Sequence, residues 1–296
     1  MIGILNYGLG NIKAFSNIYK SLDIPYQIIN ERSQLDNISK LILPGVGAFD
    51  DAMNKFNKSG LKKSVEKMVF DKSTPILGIC VGMQMLGKSS DEGVEKGLGW
   101  LDANIKIFDT SNIKHQTKLP HMGWNAIKIR NKKNLIFDNL NNQDRFYFLH
   151  SYYFHSNNSE NILAETKYGF NFTCIANLNN IYGVQFHPEV VHTIEGIEII
   201  KNFTLGICNL IPDWNSDNFI KNTISEIRET VKDSKVLCAL SGGVDSTVVS
   251  TIMKKAIGDN AICVFIDHGL LRKNEAQEVV NMFSKSLDLN INLYDC

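Results

Sequence analysis

A cysteine stands between two glycines at the end of an apolar run, in the order Gly78-Ile79-Cys80-Val81-Gly82. A Gly-x-Cys-x-Gly motif between a predicted strand and a predicted helix is typical of a nucleophile elbow, in which a sharp turn holds the nucleophile in a strained backbone conformation. The N-terminus of the following helix would favour the thiolate form of Cys80. Taken alone, the motif also fits a buried structural cysteine beside two packing glycines.

A second apolar run, from Gly183 to Phe186, ends in His187-Pro188-Glu189. Because residues two apart on a strand point to the same side, Glu189 is expected to orient the ring of His187. Thiol, base and carboxylate together form a catalytic triad. Alone, His-Pro-Glu is an ordinary loop sequence; with the elbow about a hundred residues upstream, it predicts a nucleophilic active site built on Cys80.

Glycines follow another predicted strand in Leu43-Pro44-Gly45-Val46-Gly47-Ala48-Phe49. Glycine leaves backbone N–H groups free to face a developing oxyanion, so Gly45, Val46 and Gly47 are candidates for that role. An ordinary glycine turn is the alternative for this segment taken by itself.

A different motif lies near the C-terminus between a predicted strand and a predicted helix: Ser241, Gly242, Gly243, Val244, Asp245 and Ser246. Its glycines and hydroxyls can hold a pyrophosphate at the helix N-terminus. Asp245 offers a hard oxygen ligand for Mg²⁺. The motif therefore predicts a nucleotide pyrophosphate and Mg²⁺ at this loop, with a plain glycine turn as the alternative. It resembles the pyrophosphate loop of ATP pyrophosphatases, which implies ATP. No cofactor is expected at the cysteine site.

Two α/β patterns must position these motifs. Strands alternating with helices at the start of the chain predict a parallel, doubly wound sheet. The strands are Ile2–Leu5, Tyr26–Ile29, Lys40–Leu43 and Pro75–Ile79, and the helices are Asn11–Leu22 and Phe49–Phe70. From about residue 105 to 190, short strands follow one another and predict antiparallel or mixed additions to the sheet edge. These are Ala126–Ile129, Phe146–Leu149, Phe172–Ala176 and Tyr182–Phe186.

The second pattern begins near residue 216 and holds three predicted strands and three predicted helices. The strands are Lys235–Leu240, Ala261–Asp267 and Ile291–Tyr294, and the helices are Asn218–Thr230, Asp245–Ala256 and Asn274–Leu287. Pro212 and Asp213 suit a linker. We therefore expect a domain over 1–207, a linker over 208–217 and a partial domain over 218–296. Half of a doubly wound domain leaves a sheet edge and some apolar faces uncovered.

Composition excludes several classes of protein. Lys+Arg and Asp+Glu both number 31, so the formal net charge is zero and nothing attracts the chain to nucleic acid or to an acidic membrane. The six cysteines show no Cys-x-x-Cys spacing and fit a reducing compartment. We expect neither a signal peptide nor a membrane span, and a cytoplasmic location.

The order of glycine segment, elbow and His-x-Glu resembles that of class I, or triad, glutamine amidotransferases. Within this class, residues 1–189 resemble the glutaminase subunit of imidazole glycerol phosphate synthase. Pro120-His121-Met122-Gly123-Trp124-Asn125 is the most diagnostic stretch. The other matching stretches are Tyr7–Asn11, Leu43–Phe49, Gly78–Gln84, Gly97–Gly99 and Phe146–Tyr153.

This resemblance implies a flavodoxin-like, three-layer α/β fold with a mixed sheet, and L-glutamine as substrate. Gln84 and the backbone of Ser151 and Tyr152 would hold the amino-acid end of glutamine. The N–H of Val81 and the Gly45–Gly47 segment would stabilise the oxyanion, after reorientation by a partner. Ammonia would pass to a separate (β/α)8-barrel cyclase subunit, in histidine biosynthesis or in surface-sugar synthesis.

Two departures stand out: Asn6 replaces a usual aspartate, and Val190-Val191-His192-Thr193 replaces a lysine-containing segment at the partner interface. From Phe186 onward the chain resembles GMP synthase instead. The matching residues are Phe186–Thr193, Asn202–Phe203, Cys208, Trp214, Ser241–Ser246 and Asp267–Lys273. That resemblance implies the start of an N-type ATP pyrophosphatase, expected here to be incomplete. A hybrid joined near His187, from a recombined, truncated or misassembled gene, is one origin.

Three hypotheses follow. The first is a glutaminase subunit that works with a separate cyclase, the ATP-binding piece being vestigial. The second is a GMP-synthase-like amidation of XMP whose missing half comes from another chain, which leaves Pro120–Asn125 unexplained. The third is a folded but inactive or regulatory product.

Overall fold

The computed structural model of the chain describes residues 1–113, 118–190, 194–210, 216–267, 269, 271, 275–287, 289 and 291–295. Several residues that carried the sequence interpretation lie outside the described residues: Val191, His192, Thr193, Pro212, Asp213, Trp214, His268, Leu270, Arg272 and Lys273. The chain divides into two compact units, Met1–Pro212 and Asp213–Cys296.

The first unit is built on an eleven-stranded mixed sheet and a separate two-stranded sheet. Its strands are β1 (Ile2–Leu5), β2 (Tyr26–Ile29), β3 (Lys40–Gly45), β4 (Ile76–Cys80), β5 (Ser89–Ser90), β6 (Ala103–Ile107), β7 (His121–Ala126), β8 (Lys128–Ile129), β9 (Arg145–His150), β10 (Tyr152–Ser156), β11 (Ile162–Tyr168), β12 (Phe170–Leu178) and β13 (Ile181–Val184). The main path of the large sheet runs β2-β1-β3-β4-β13-β12-β10-β6-β5, and β7 pairs with β9 alone.

The predicted change from parallel to antiparallel strands lies within this sheet. Strands β2, β1, β3, β4 and β13 are parallel neighbours. β12 then joins β13 antiparallel, and β10 and β6 continue the antiparallel part. The mixed α/β sheet expected from the sequence is therefore present. The strands β5, β6, β7, β10 and β11 were not predicted, because polar residues interrupt their apolar patterns.

The helices of the first unit are α1 (Ile12–Ser21), α2 (Phe49–Lys58), α3 (Lys62–Asp71), α4 (Val81–Met85) and α5 (Ile194–Lys201), followed by a π-helical turn at Asn202–Ile207. The prediction of one helix over Phe49–Phe70 was wrong. Gly60, with φ +75°, separates α2 from α3. That backbone conformation ends a helix and favours glycine. The spacing of apolar residues nevertheless looks continuous from Phe49 to Phe70, because both helices pack on the same core.

One large hydrophobic core joins the sheet of the first unit to its helices. Fully buried members include Phe15 of α1, Phe56 of α2 and Phe154 of β10. Cys208 belongs to this core and Leu210 packs against it, so the first residues of the predicted linker pack on the first unit. The next described helix begins at Ser216. The domain bounds 1–207, 208–217 and 218–296 stay a prediction.

The second unit has a three-stranded parallel sheet in the order β14-β15-β16. Its elements are α6 (Ser216–Val231), β14 (Val236–Leu240), α7 (Val244–Ile257), β15 (Ala261–Asp267), α8 (Glu275–Leu287) and β16 (Ile291–Asp295). A small core includes Cys263, Phe265 and Phe283, whereas Leu237 is 69% and Ile266 48% exposed. Among the described residues, no helix is long and apolar enough to cross a membrane.

Candidate active site

Cys80 lies at the turn where β4 ends and α4 begins, with φ 53° and ψ −112°. A non-glycine residue rarely adopts this positive φ, and such strain is typical of functional sites. The flanking glycines permit the turn. A Cβ on Gly78 would lie 2.7 Å from the carbonyl oxygen of Gly82, and a Cβ on Gly82 would collide with the carbonyl oxygen of Leu43. The predicted elbow geometry is therefore present around Cys80.

His187 and Glu189 follow β13 and lie beside this turn. The Nδ1 atom of His187 is 3.0 Å from Oε1 of Glu189, and the two side chains are 10% and 3% exposed. The second carboxylate oxygen of Glu189 is buried and has no hydrogen-bond partner among the described residues. Since Glu189 engages Nδ1, the ring of His187 has Nε2 left for the thiol of Cys80.

The pKa of His187 depends on Cys80. Burial by itself lowers the pKa of the ring, but the negative charge of Cys80 and a hydrogen bond with it act in the opposite direction. The hydrogen bond and charge of Glu189 add to them, and together they raise the pKa of His187 to about 10. The geometry thus favours a protonated imidazole next to Cys80 and Glu189, and such an imidazole is the partner that an activated cysteine nucleophile needs.

A cavity of about 330 Å³ opens above Cys80. Its lining brings together eight of the residues predicted from the sequence: Val46, Gly47, Cys80, Val81, Gln84, Ser151, Tyr152 and His187. The remaining lining residues are Glu92, Pro120, Leu149 and His150. A pocket of this size fits a small amino-acid substrate. Gly45 and Glu189 are not among the lining residues.

The glycine segment after β3 packs directly on the elbow. Gly45 is in register with Cys80, and a Cβ on Gly45 would lie 2.8 Å from the carbonyl carbon of Val81. Gly47 has φ +86° and open space around it. The segment therefore runs beside the nucleophile, with a fixed start at Gly45 and an open, glycine-permitted conformation at Gly47.

The side chain of Gln84 is buried in the wall of the cavity. Its amide nitrogen donates to the carbonyl oxygen of Tyr152 at 3.1 Å and to Oε1 of Gln185 at 3.4 Å. Both amide hydrogens are used in these bonds, so the polar atom with which Gln84 can meet a ligand is its oxygen, an acceptor.

Sequence reasoning missed Glu92, which contributes a carboxylate to the cavity. Its Oε2 accepts a hydrogen bond of 2.9 Å from the backbone N–H of Phe49, the first residue of α2. The carboxylate thus stabilises a helix N-terminus immediately after the glycine segment. Glu92 lies in a polar loop without a motif, so no sequence signal pointed to it.

Three apolar side chains are exposed on the β7–β9 sheet beside the cavity. Met122, Trp124 and Leu149 are 66%, 41% and 42% exposed. Met122 pairs with Leu149 across the two strands, and Leu149 also lines the cavity. We call these three residues the hairpin strip. Exposed apolar side chains next to a pocket are typical of a protein-interaction surface.

The Ser241–Ser246 motif forms the turn between β14 and α7 in the second unit. Gly242 has φ +76°, and the N–H of Gly243 donates to the hydroxyl of Ser241 at 3.4 Å. The hydroxyls of Ser241 and Ser246 are 3.1 Å apart. These exposed donors at the start of a fourteen-residue helix fit a phosphate group.

Metal binding at Asp245 stays a prediction. Within the part of the chain that the structure describes, no three His, Cys, Asp or Glu residues group closely enough to hold a metal ion. Asp245 is the acidic residue in the first turn of α7. A magnesium ion there would need its other ligands from a nucleotide and from water.

Comparison with known proteins agrees with this geometry. Residues 4–207 match the profile of the family described as glutamine amidotransferase class-I, and residues 216–296 match that of the PP-loop domain. The chain belongs to the class I glutamine amidotransferase family, as its fold and its cysteine site indicate.

Two groups of relatives match overlapping parts of the chain. It is 44% identical to the imidazole glycerol phosphate synthase subunit HisH of Leptospira borgpetersenii over 203 residues, 69% of this chain and 98% of that protein. It is also 38% identical to a GMP synthase [glutamine-hydrolyzing] of Bacillus anthracis over 227 residues, which is 76% of this chain but 40% of that enzyme. A crystal structure of a protein described as one subunit of a GMP synthase, from Thermoplasma acidophilum, has a TM-score of 0.53 at 25% identity, covering 75% of this chain and 96% of that chain.

Proposed function

We propose that the first unit hydrolyses L-glutamine to glutamate and ammonia, with Cys80 as nucleophile, His187 as acid–base and Glu189 as the group that orients His187. The observation that carries this proposal is the strained Cys80 at the β4–α4 turn, with the His187–Glu189 pair, 3.0 Å apart, beside the same cavity. A buried structural cysteine has no need of a strained backbone or of a paired imidazole.

The chemistry proceeds in two steps. The thiolate sulfur attacks the side-chain amide carbon of glutamine, and the oxygen gains negative charge. His187 gives its Nε2 proton to the leaving nitrogen, so ammonia departs and a glutamyl thioester remains. Water then attacks the thioester carbon while His187 takes a proton from the water. Glutamate is released and the thiolate is regenerated.

Backbone N–H groups stabilise the oxyanion in this proposal. The N–H of Val81 follows the nucleophile directly, and the segment Gly45-Val46-Gly47 runs beside it. Removing one such donor from an enzyme typically costs about 10²–10³-fold in kcat. The positive φ of Gly47 and the open space around it support a segment that turns a peptide N–H toward the oxyanion when a partner binds.

The amino-acid end of glutamine lies against the opposite wall. Ser151, Tyr152 and Gln84 line the cavity, and Glu92 adds a carboxylate. An α-ammonium group needs acceptors and negative charge, and an α-carboxylate needs N–H donors, so this wall has the chemistry for both.

The proposed partner is the cyclase subunit of imidazole glycerol phosphate synthase, to which the ammonia passes in histidine biosynthesis. The two relatives that this chain matches over 98% of their length carry the name of a subunit, which implies a second chain for those proteins. The hairpin strip supports a docking surface at the rim of the cavity. Cytoplasmic location is proposed because the described cysteines, five in number, are buried free thiols, which fits a reducing compartment.

The test measures glutamate release by the purified chain, alone and in the presence of the ribonucleotide substrate together with a purified cyclase subunit. We expect strong stimulation by the cyclase and loss of all activity in Cys80→Ala, with the fold retained. Trp124→Ala should reduce the stimulation but not the basal rate, while Leu178→Ala, an exposed leucine on β12, serves as its control. Retention of substantial activity in Cys80→Ala would overturn the mechanism.

A second candidate is glutamine-dependent amidation of XMP of the GMP synthase kind. The PP-loop match over 216–296 favours it, and Ser241, Gly243 and Ser246 would hold ATP phosphates there. Bound ATP would supply activation of the acceptor by adenylation, and Asp245 would hold Mg²⁺. Formation of GMP from XMP, ATP and glutamine by the purified chain would support this candidate over the first.

A further inference from the structure

Two buried histidines connect the wall of the cavity to the β7–β9 sheet. His121 on β7 and His150 on β9 are 2% and 7% exposed, and Nδ1 of His121 is 3.3 Å from Nε2 of His150. Nδ1 of His150 is 2.8 Å from the carbonyl oxygen of Tyr152. At the other end, the side-chain nitrogen of Asn125 is 3.0 Å from Nε2 of His121 and 3.0 Å from the carbonyl oxygen of Lys167.

The two carbonyl oxygens fix the direction of this chain of hydrogen bonds, because a carbonyl oxygen can only accept. His150 therefore donates from Nδ1 to Tyr152, and its Nε2 accepts from Nδ1 of His121. Asn125 donates one hydrogen to Lys167 and the other to Nε2 of His121. Each imidazole then carries a hydrogen on Nδ1.

The surroundings favour the neutral form of His150. Burial, and then the neighbouring His121, lower the pKa of His150 to about 3, despite the hydrogen bond to Tyr152. The positive charge of His187 acts in the same direction. Phe108 packs against both rings, at centroid distances of 6.2 Å to His121 and 5.5 Å to His150.

This chain of hydrogen bonds, which we call the relay, ends on the carbonyl oxygen of Tyr152. The carbonyl oxygen of Tyr152 accepts from Nδ1 of His150 and from the amide nitrogen of Gln84, so both of its lone pairs are used. If His150 is lost, the Tyr152 carbonyl keeps Gln84 as its donor but loses the second bond that holds its direction, and that direction sets which end of the Gln84 amide faces the cavity.

We propose that His121 and His150 are positioning residues that hold the Gln84 amide with its oxygen toward the ligand, so that the cavity selects a ligand bearing an amino group. This inference rests on the proposed glutamine hydrolysis and adds to it a determinant of substrate selection away from the reacting atoms. Glutamine carries the α-amino group that an acceptor recognises, whereas 4-carbamoylbutanoate, its analogue without that group, does not.

Ligand binding tests the relay without turnover. In the full-length Cys80→Ala chain, calorimetry gives the Kd of glutamine and of 4-carbamoylbutanoate. Adding His150→Gln should weaken glutamine binding about tenfold, the worth of one well-made hydrogen bond, and leave the analogue nearly unchanged. His150→Asn should retain most of the affinity, because the asparagine amide nitrogen stands near the place of Nδ1. His155→Gln, an exposed histidine on β10, is the matched control.

Kinetics and spectroscopy give independent readouts. In the active chain with its cyclase, His150→Gln should raise KM for glutamine and change kcat less than about threefold, since His150 touches no reacting atom. Nitrogen NMR of labelled histidines in the unaltered chain should show the hydrogen on Nδ1 of both His121 and His150.

The outcomes separate the relay from the function on which it rests. A hydrogen on Nε2 of His150, or an equal loss of affinity for glutamine and for the analogue, overturns the relay even if glutamine hydrolysis is intact. If the unaltered chain neither binds nor hydrolyses glutamine, the proposed function fails first. The NMR measurement needs no variant, so the relay can be contradicted even where His150→Gln does not fold.

Discussion

The phenol oxygen of Tyr7 donates a hydrogen bond of 2.6 Å to the carbonyl oxygen of Pro44, the residue directly before Gly45. Tyr7 is 6% exposed and its ring packs edge-on against Phe56. Gly10 packs closely against the same proline, since a Cβ on Gly10 would lie 2.6 Å from the Cβ of Pro44. The loop after β1 therefore fixes the start of the segment proposed to bind the oxyanion.

Replacing Tyr7 by phenylalanine should destabilise the first unit. The change keeps the ring and its packing but leaves the carbonyl oxygen of Pro44 without its buried donor. An unsatisfied buried acceptor costs about 1–3 kcal/mol, which lowers the melting temperature of a unit of this size by about 2–4 °C per kcal/mol. Differential scanning calorimetry measures the shift.

Tyr26→Phe is the control for the Tyr7→Phe change. Tyr26 is a half-buried tyrosine on β2, and its hydroxyl has no hydrogen bond to the described residues. We expect its removal to shift the melting temperature by less than about 1 °C, since surface-type substitutions usually stay within ±0.5 kcal/mol. Equal shifts in the two variants would contradict the role given to the Tyr7–Pro44 bond.

Gly82→Ala should disrupt the elbow itself. An added Cβ at Gly82 collides with the carbonyl oxygen of Leu43, a backbone atom in the neighbouring strand that cannot move alone. Forcing such a group into a packed site costs about 1–3 kcal/mol or more and displaces Cys80. We expect lower stability together with a loss of glutamine hydrolysis of at least about tenfold, from the misplacement of the nucleophile.

Gly206→Ala is the matched change away from the site. Its Cβ would meet only the Cβ of Leu135, at 3.6 Å, which is ordinary contact. Replacing glycine where the backbone tolerates alanine typically stabilises by about 0.4–1 kcal/mol. Urea unfolding of both variants separates the two effects, and a similar loss in Gly206→Ala would show that any added methyl group is harmful.

How far the sequence predicted the site depends on the kind of residue. Cys80 and His187 lie in motifs whose spacing has a mechanical reason, so their meeting in one cavity was foreseeable, whereas Gln84 was assigned from the family resemblance. Glu92 and His150 were not assigned roles, because each acts through a partner distant in sequence: the N–H of Phe49 for one and His121 for the other. Such pairings depend on tertiary packing, which a local pattern does not contain.

The fold shows the same division. The strands β1, β3 and β4 have apolar runs that predict their existence, and the alternation of strands with helices predicts their parallel order. β11, however, alternates buried and partly buried residues with register shifts between Ile162 and Glu165. A bulged strand between two neighbours loses the strict period of two, so its pairing with β12 and β8 was not predictable from the sequence.

The ring of His187 should titrate far above the usual range of histidine. Its pKa is raised to about 10, whereas an unperturbed histidine has a pKa of about 6.5. The folded value is the higher one, so protonated His187 stabilises the fold fully below about pH 6.5, and this contribution is lost as the pH rises through about 10. NMR titration of the ring measures its midpoint directly.

Cys80→Ala tests the cause of that shift. The variant removes the charge and the hydrogen bond that oppose burial, so the midpoint of His187 should move down while the Glu189 bond remains. In the unaltered chain, His187 loses its proton as the pH rises. The difference in unfolding free energy between this chain and His187→Gln should therefore shrink with rising pH. An unchanged midpoint in Cys80→Ala would show that Cys80 does not set the pKa of His187.

The Ser241–Ser246 turn should bind ATP independently of the glutamine site. Replacing both Ser241 and Ser246 by alanine removes two hydroxyls that lie 3.1 Å apart at the start of α7. If these hydroxyls hold phosphate, the Kd of ATP should rise at least about tenfold, since hydrogen bonds to a charged group are each worth about 1.5–3 kcal/mol. Equilibrium dialysis with labelled ATP and Mg²⁺ measures it, with Asp233→Asn, an exposed aspartate before β14, as the control.

Glutaminase activity in the same double variant distinguishes the two proposed functions. A vestigial PP-loop unit predicts an unchanged rate of glutamate release with the cyclase present, because the cavity above Cys80 contains none of the altered residues. A GMP-synthase-like enzyme predicts that ATP and XMP stimulate glutamate release and that the double variant abolishes this stimulation. Stimulation by XMP with ATP but not by the cyclase would therefore assign the glutaminase to the second function and leave the hairpin strip without its proposed partner.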